Sequence, residues 1–363
     1  MTISVILLVV LNLMWLRKDR DHQPSPTQLP DQEAVDRYLD REWHPQTDQP
    51  ESTRYIPTGI FVQSLNFLSP VDIQVTGYLW QRYKDGEHDG LNRGFIFPEQ
   101  INSGSDIAPI ITHQYKVGDE EVIVWYFEAT LRQGFDYQDY PFDHKVAWLR
   151  LWAQDFDKNV ILVPDFKSYK STGLDDTFGV EESIVLGSWN IKESYFDYKK
   201  SNYDTNFGID GYVGQEGFPE LYFNIVLKRK VLNAFIVNLL PLFVVCMLLF
   251  QSLMTLTRDK EKAEKFGFST SGVIGASAAL FFVVMVAHIQ LRQEFAGAGI
   301  VYLEYFYFLL YLVIMLVVSL TYLFSLGEKQ CPGWINSRDC LIPKLSYWPA
   351  ILGVAVLLTQ NAF

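Results

Sequence analysis

Residues 231–253 read VLNAFIVNLLPLFVVCMLLFQSL, and the strongly polar residues among them are only Asn233, Asn238 and Gln251. A helix needs about 20 predominantly apolar residues to cross the hydrocarbon core of a bilayer. Three similar stretches follow, at Phe266–Ile289, Ile300–Leu326 and Leu345–Phe363. Four such stretches predict a membrane domain over residues 229–363 and argue against buried helices of a large soluble protein.

Basic residues in the connecting loops orient these spans. The first loop carries Arg258, Lys260, Lys262 and Lys265, the third carries Lys329, Arg338 and Lys344, and the second carries only Arg292. Because cytoplasmic loops are enriched in Lys and Arg, the first and third loops are expected in the cytoplasm. The domain before the first span is then expected on the periplasmic or extracellular side of an inner (cell) membrane.

Charge separates the two parts of the chain. The 363 residues carry a net charge of −12, with 20 basic and 35 acidic residues in 1–228 but 10 basic and 7 acidic residues in 229–363. The first part is therefore an acidic, water-facing domain, and an acidic chain is a poor binder of nucleic acid. Three cysteines exclude a disulfide scaffold, and 49% hydrophobic residues exclude a disordered chain.

Residues 1–53 form a separate N-terminal region. Ile3–Leu16 is apolar but short for a membrane span, and Arg17, Lys18 and Arg20 follow it on the side that disfavours an anchor for an exported domain. It also lacks the basic start and small-residue cleavage site of a signal peptide. The alternatives stay open: a signal or anchor, or the continuation of a longer upstream region. A proline-rich linker follows, with one short helix expected at Asp31–Glu42.

Residues 54–228 show the pattern of an all-β domain, because short segments of alternating polarity are separated by turn signals. The expected strands are Gly59–Leu68, Asp72–Tyr83, Glu121–Leu131, Lys145–Ala153, Val160–Val163, Ile184–Tyr195 and Leu221–Leu227. Turn signals at close spacing favour a β-sandwich.

One loop between two of these strands carries a motif. Residues 135–143 read FDYQDYPFD and lie about ninety residues before the first span. Their core, Tyr140-Pro141-Phe142-Asp143, resembles the signature loop of the pentameric ligand-gated ion channels, the Cys-loop receptor family. Gln133 and Ala147 stand where animal members carry the bracketing cysteines. The lack of that pair is typical of the prokaryotic branch.

Other positions agree with this family in the right order. Arg229 precedes the first span, Pro241 lies twelve residues after it, and Ala263-Glu264-Lys265 resembles the Gly-Glu-Lys start of the second span in cation-conducting members. Ile236 replaces a second family proline. The resemblance covers Tyr55–Phe363 and implies an extracellular β-sandwich, a four-helix transmembrane bundle and a homopentamer around a central pore.

The second span supplies the expected pore lining. Steps of three and four from Glu264 predict a face of Glu264, Gly267, Ser271, Ile274, Ala278, Phe281 or Phe282, and Met285. Five copies of Glu264 form a carboxylate ring that attracts cations, and a ring of Ile274 can close the pore by dewetting. A register shift of one residue exchanges Ser271 for Thr270. The alternative is that the second span packs against other helices and lines no pore, since small residues also permit close helix contacts.

The resemblance also implies where opening is coupled to the β domain. By this resemblance Asp72, Asp143 and Arg229 are expected to meet, and an arginine between two carboxylates can bridge them. Pro141, Phe142 and Phe295–Gly299 are expected to pack at the same place. The alternative is that these are unrelated solvated charges.

The family's agonist site implies a candidate ligand region between neighbouring subunits. It comprises Glu99 within Pro98–Asn102, Gln154 and Phe156, an aromatic loop of residues 195–218, and an opposing segment, Tyr78–Tyr83. The tyrosines singled out are Tyr78, Tyr83, Tyr195, Tyr198 and Tyr203. Aromatic rings can bind a cation through their faces, but Gln154 replaces the tryptophan of amine-binding members. Ordinary loop packing is the alternative.

No organic cofactor is expected, but a divalent cation such as calcium is a possible modulator. The oxygen ligands considered are Asp155, Asp157, Glu181 and Glu182. Asp155-x-Asp157-x-Asn159 lacks the glycine and closing glutamate of an EF-hand loop, so that motif fails. Carboxylates, His113 or His288 offer proton gating as another alternative.

The sequence contains no glycine-rich phosphate loop, no paired metal-binding cysteines and no nucleophile motif, so no enzyme is predicted. The expected function is a ligand-gated, cation-selective channel whose partners are four identical subunits, the bilayer, permeant cations and an unidentified agonist. A non-conducting membrane sensor with the same β domain is the main alternative. A membrane-anchored binding module that needs a partner subunit is the third.

Overall fold

A computed structural model describes residues 2–21, 25–43, 53–101, 107–173, 176–210, 212, 217–266, 269–326, 330–336 and 339–363. The chain forms two compact units. The helical unit comprises residues 1–22, 136–143 and 229–363, and the β unit comprises residues 23–135 and 144–228. Gly267 of the expected pore face lies outside the described residues.

The β unit contains two sheets. Its strands are Arg54–Phe67 (β1), Asp72–Lys84 (β2), Phe95–Ile96 (β3), Gln100–Ile101 (β4), Ile107–Val117 (β5), Glu120–Arg132 (β6), His144–Ala153 (β7), Val160–Pro164 (β8), Trp189–Ser201 (β9) and Phe218–Arg229 (β10). One sheet has the order β4-β6-β2-β1-β8, with β5 also paired to β6, and the other has the order β3-β7-β10-β9. The predicted β-rich region is confirmed.

Alternation of side chains explains how the sheets share one core. Every second residue of β2 is buried, as expected for a strand with one face against a core. Buried side chains from both sheets form a single cluster that includes Ile60, Leu79, Leu149 and Phe223. Strands β3, β4 and β5 were not expected, and β9 begins at Trp189 rather than Ile184 and continues to Ser201.

A short helix in the β unit, Gln32–Glu42 (α2), agrees with the sequence expectation. Asp31 is its N-cap, and the Asp31 carboxylate accepts a hydrogen bond of 2.8 Å from the backbone N–H of Ala34. Val35 and Leu39 bury the apolar side of α2 in the core of the β unit.

The helical unit contains the apolar spans. Its helices are Thr2–Arg20 (α1), Val231–Ala234 (α3), Leu240–Met254 (α4), Lys260–Phe266 (α5), Thr270–Glu294 (α6), Glu304–Ser325 (α7), Gly333–Asn336 (α8) and Leu341–Ala362 (α9). Four segments are long and apolar enough to cross a membrane: Val231–Met254, Thr270–Glu294, Glu304–Ser325 and Leu341–Ala362. Among the described residues, four helices that could cross a membrane are therefore present, as the sequence predicted, with shifted ends.

The first of these segments contains a wide turn, Phe235–Leu239, with π-helical hydrogen bonding between α3 and α4. Pro241 follows directly. Proline has no N–H for the carbonyl four residues earlier, and its ring crowds that carbonyl, so the preceding turn departs from α-helical geometry.

The second span starts later than the sequence pattern indicated. Ser269 has an extended backbone and caps α6, since its Oγ accepts a hydrogen bond of 3.0 Å from Gly272 N–H. Glu264 lies on the separate short helix α5. Glu264 and Ser271 therefore do not lie on one continuous helix. The prediction that both belong to a single helical pore face, spaced by three and four residues, is corrected on this point.

Candidate functional site

The motif segment at residues 136–143, here called the Pro141 loop, packs inside the helical unit. Asp143 and Arg229 are both buried there, and they form a two-pronged ion pair with Nε–Oδ1 and Nη2–Oδ2 distances of 2.6 and 3.1 Å. A planar guanidinium held by two parallel hydrogen bonds has its direction fixed as well as its charge matched. Two of the three predicted coupling charges are thus brought together.

The third predicted coupling residue, Asp72, has a different partner. Its carboxylate accepts a 2.8 Å hydrogen bond from Arg132 Nε on the paired strand β6. Ser69 Oγ also donates to Asp72, at 2.9 Å. The hydrogen bond from Arg132 holds the pKa of Asp72 below its ordinary value. The predicted bridge from Arg229 to Asp143 is found, whereas Asp72 is satisfied within the β unit.

Tyr140 connects the Asp143–Arg229 pair to the α6–α7 linker, residues 295–303. The Arg229 guanidinium lies 4.7 Å from the Tyr140 ring centre, and the Phe295 ring centre lies 4.5 Å from that of Tyr140. The Tyr137 ring also contacts Phe295, with ring centres 5.1 Å apart. The predicted packing of Phe295 near the motif is therefore present within the helical unit.

Phe142 faces a second aromatic group. Its ring centre lies 6.1 Å from Trp15, 6.2 Å from Tyr302 and 5.8 Å from Phe363. Backbone contact adds to this, since Tyr302 N–H donates a 2.7 Å hydrogen bond to Gln138 O. The Pro141 loop, including the cis Tyr140–Pro141 peptide, is consequently held by α1, the α6–α7 linker and the end of α9.

A second group of functional side chains surrounds Glu220 in the β unit and is here called the Glu220 cluster. Its members are Glu99, Arg150, Trp152, Phe156, Ser201, Tyr203, Phe207, Tyr212 and Glu220. The Glu220 carboxylate is buried and accepts hydrogen bonds from Arg150 (3.1 Å), Trp152 Nε1 (2.8 Å), Ser201 Oγ (2.6 Å) and Tyr203 OH (2.6 Å). Four donors satisfy this charge without surrounding water.

Arg150 joins a second carboxylate to the cluster, because its guanidinium also pairs with Glu99. Burial raises the pKa of Glu99 above its ordinary value, although the nearby Arg150 opposes this. Burial also raises the pKa of Tyr203, and its hydrogen bond to Glu220 adds to the effect. Two carboxylates around one guanidinium leave a local excess of negative charge when both are ionised.

Aromatic rings close one side of the cluster. Contacts with ring centres 5.2–6.3 Å apart join five rings: Trp152 stacks on Phe156, and the other contacting pairs among Trp152, Phe156, Tyr203, Phe207 and Tyr212 are edge-to-face. Phe207 adopts the left-handed backbone region, with φ of 54°. A cavity of about 20 Å³ is lined by Trp152, Phe156, Tyr212 and Glu220 of this cluster, together with residues of the neighbouring strands. That volume holds about one water molecule, so an organic ligand needs the rings to move.

Several predicted ligand residues belong to this cluster and others do not. Glu99, Phe156 and Tyr203 are brought together. Gln154 is exposed beside the cluster, and its N–H bonds to Gly94 O at 3.1 Å. Tyr195 and Tyr198 lie in β9 rather than in a loop, and both are buried.

The opposing segment Tyr78–Tyr83 divides between the two faces of β2. The two tyrosines are five residues apart, and an odd spacing places strand side chains on opposite faces. Tyr78 is half-buried and contacts Tyr126 at 5.5 Å. Tyr83 is fully buried, donates to Gln81 and accepts a 3.0 Å hydrogen bond from Gly94 N–H. Tyr83 is a core residue that a surface ligand does not reach.

The expected calcium ligands are not gathered in the described part of the chain. Asp155 accepts hydrogen bonds from Asn92 and from Lys158 at 2.6–2.8 Å, while Glu181 accepts from Ser183. Within the described residues, the structure contains no group of three or more His, Cys, Asp or Glu side chains that can hold a metal ion. A calcium site formed by Asp155, Asp157, Glu181 and Glu182 stays a prediction.

The α6 helix has one buried and one exposed side in the single chain. Val273, Ser277, Val284 and Leu291 form the buried side. Of the predicted pore face, Ser271, Ile274 and Ala278 are exposed and Met285 is half-buried. Phe281 contacts Tyr311 of α7 at 5.5 Å and is 37% exposed, whereas Phe282 is 60% exposed. Of these two alternatives, Phe282 faces away from the chain's own helices.

An open groove of about 540 Å³ adjoins this exposed side, between α4 and α6. It is lined by Leu248, Gln251, Ser252, Thr255, Ser269, Gly272, Val273, Ala276, Ala279, Leu280 and Val283. Small side chains on α6 give the groove its depth.

The sequence pattern missed Arg150, Trp152 and Glu220, because they come together only through the β7–β10 register, in which Leu221 faces Leu151. Glu304 had a recognisable signal as a carboxylate in an apolar span. It is buried and bonds to Arg292 at 3.2 Å and His288 at 3.3 Å. Arg292 also donates to Gly299 O at 2.8 Å, so this group holds the α6–α7 linker.

Comparison of the chain with models of known protein families gives no match, and comparison with curated proteins gives none either.

Proposed function

We propose that the chain is one subunit of a homopentameric, cation-selective, ligand-gated channel in a prokaryotic inner membrane. The observation that supports this proposal most directly is the position of the Pro141 loop. It lies in sequence between strands β6 and β7, but it packs in the helical unit against the linker that follows α6, with Tyr140 and Phe295 4.5 Å apart. Movement of those strands therefore has a direct route to the helix proposed to line the pore.

Strand β10 provides a second route in this proposal. Glu220 lies near its start and Arg229 is its last residue. Ligand binding at the Glu220 cluster displaces β10, and Arg229 passes the displacement to Asp143 and Tyr140 through the contacts described above. The α6–α7 linker then moves with Phe295 and changes the tilt of α6.

The exposed side of α6 supports the pore assignment. A single helix cannot enclose water, so several copies must surround an axis. Ser271, Ile274 and Ala278 supply small, polar and apolar rings, and the α4–α6 groove receives the neighbouring subunit. Glu264 on α5 then forms a carboxylate ring at the cytoplasmic mouth, which favours cations.

The agonist class stays open among protons, a divalent cation such as calcium, and an organic ligand. The Glu220 cluster supports an organic or inorganic cation, because two carboxylates and five aromatic rings attract positive charge. A non-conducting sensor with the same β unit is the competing proposal, and a binding module completed by another subunit is a third.

Electrical recording from purified protein in planar bilayers tests this proposal. Recordings at varied pH and calcium concentration, and with tetramethylammonium, are expected to show openings that depend on one of them. Native mass spectrometry in mild detergent is expected to give a mass of five chains. A stable monomer or dimer with no current under any condition contradicts the channel and favours the sensor.

A further inference from the structure

The N-terminal helix α1 has the burial pattern of a helix packed along one side. Ser4, Leu7, Leu11, Met14 and Lys18 are the less exposed positions, at spacings of three and four, and Trp15 adjoins them. Leu11 is 4% exposed. Positions three and four apart share one side of a helix, so α1 has a defined contact face rather than loose attachment.

Apart from Thr2 and Asn12, the remaining surface of α1 up to Leu16 is apolar as well, and Asn12 Nδ2 donates a 2.8 Å hydrogen bond to Leu8 O within the helix. Its exposed large side chains are Ile3, Val5, Ile6, Leu8, Val9, Val10, Leu13 and Leu16. A helix that is apolar on all sides and still exposed belongs in a hydrocarbon environment. The 19 residues of α1 extend about 28 Å at 1.5 Å per residue, of which the uncharged part, Thr2–Leu16, takes about 22 Å. This part is shorter than the roughly 30 Å of a bilayer core, so spanning requires the basic side chains after it to reach the interface and the bilayer to thin locally. The charged residues begin only at Arg17.

Specific contacts fix the carboxyl end of α1. Trp15 Nε1 donates a 2.7 Å hydrogen bond to Tyr302 OH, which in turn lies 2.6 Å from Thr359 Oγ1 of α9. Lys18 Nζ pairs with Asp139 at 2.8 Å and lies 4.8 Å from the Phe363 ring centre. The carboxyl ends of α1 and α9 therefore lie side by side, next to the Pro141 loop.

We propose that α1 is a fifth membrane-spanning helix of the subunit, covered by lipid acyl chains on its outer face and clasped to the Pro141 loop through Trp15 and Lys18. Its amino end then lies on the membrane side opposite to Phe363. The basic residues that made α1 an unlikely anchor from sequence lie in the interfacial layer, where Lys18 has Asp139 as counter-charge. This inference stands whether or not the chain conducts ions.

Cysteine labelling tests the spanning part. In a background with Cys246, Cys331 and Cys340 changed to Ser, the single variants Thr2→Cys and Asp21→Cys are treated with a membrane-impermeant maleimide in spheroplasts and in inverted vesicles. Each variant is expected to react in only one of the two preparations. Thr2→Cys is expected to react in the preparation in which Asp21→Cys does not. Val185→Cys, 84% exposed in the β unit, is the side control. The proposal is overturned if both α1 positions are labelled from the same side. It is also overturned if the mass of the purified protein shows that residues 2–20 have been removed.

A double-mutant cycle tests the clasp. Lys18→Met and Asp139→Asn are each expected to lower the thermal unfolding midpoint in detergent by about 2 °C or more, and the double variant no further than the worse single variant. Arg17→Met, which removes an exposed charge from the adjacent position, is the matched control and is expected to leave the midpoint unchanged. Additive effects of the two changes, or equal effects of Lys18→Met and Arg17→Met, overturn the clasp.

Discussion

Asp143 and Arg229 hold each other through two hydrogen bonds, with side chains only 2% and 9% exposed. Arg229 is the last residue of β10, and Asp143 closes the Pro141 loop. A buried guanidinium held by two parallel hydrogen bonds to a carboxylate has little orientational freedom. The ion pair therefore fixes the position of Arg229 relative to the Pro141 loop, and Tyr140 links the pair to Phe295, whose ring centre is 4.5 Å away.

Arg229→Ala is expected to destabilise the protein, because it leaves the Asp143 carboxylate buried without its counter-charge. Breaking a buried pair from one side costs about 3–5 kcal/mol. Arg229→Lys keeps the charge but loses the fork, so we expect a smaller loss. Denaturant unfolding of the purified protein measures both, and under the channel proposal open probability falls in the same order.

The exposed neighbour Lys230 supplies the control. Lys230→Ala is expected to change the free energy of unfolding by less than about 0.5 kcal/mol. Equal losses for Arg229→Ala and Lys230→Ala contradict the assigned role of the ion pair.

Asp72→Asn is expected to have an effect that depends on pH. Arg132 lowers the pKa of Asp72 in the folded state, so the ionised carboxylate stabilises the fold above its unfolded pKa. That contribution is lost as pH falls through the lower, folded value. Because Arg132 is 61% exposed, we expect only about 0.2–1 kcal/mol at pH 7.

Urea unfolding of wild type and Asp72→Asn between pH 7 and pH 3 measures this difference. It is expected to shrink as pH falls below about 4, the ordinary pKa of an aspartate. In an Arg132→Gln background the same substitution is expected to show a much weaker pH dependence. An unchanged profile in that background assigns the effect to another partner.

Sequence patterns predicted the elements because burial imposes simple periods. The strand alternation of β2 and the apolar run of α7 each follow from one repeated environment, and their positions agree with the prediction to within a few residues. The start of α6 was less predictable, because its N-cap, Ser269, lies within an apolar pattern that continues on both sides of the cap.

The site was less predictable than the fold for a physical reason. The Asp143–Arg229 pair, 86 residues apart, was predicted only through the family resemblance. Glu220 and Arg150 are 70 residues apart, and their contact depends on strand pairing that no local pattern encodes. Tyr83 shows the opposite error: an aromatic residue expected at a ligand surface lies on the core face of its strand.

Phe207→Ala is expected to open the Glu220 cluster. The Phe207 ring contacts Trp152, Phe156, Tyr203 and Tyr212, and the cavity lined by part of the cluster holds about 20 Å³. Removing the Phe207 ring is expected to leave space beside Glu220 for a small organic cation. We expect tetramethylammonium to raise the thermal midpoint of Phe207→Ala at lower concentration than for wild type. Adding Glu220→Gln is expected to remove that gain.

Val185→Ala, a change at another exposed apolar side chain of the β unit, controls for general salt effects. Tetramethylammonium responses that are the same in wild type, Phe207→Ala and Val185→Ala contradict cation binding at the cluster.

Glu264→Gln and Ile274→Ser are expected to separate selectivity from gating. Under the channel proposal, five Glu264 carboxylates near the axis attract cations at short range, where salt screens them little, so Glu264→Gln is expected to shift the reversal potential in asymmetric salt toward that of a less selective pore. An apolar Ile274 ring expels water, whereas serine retains it, so Ile274→Ser raises open probability without moving the reversal potential. Glu261→Gln on the same short helix and Val273→Ala on the buried side of α6 are the matched controls. If Glu264→Gln and Glu261→Gln leave equal reversal potentials, and Ile274→Ser only lowers yield as Val273→Ala does, then this side of α6 serves helix packing and lines no pore.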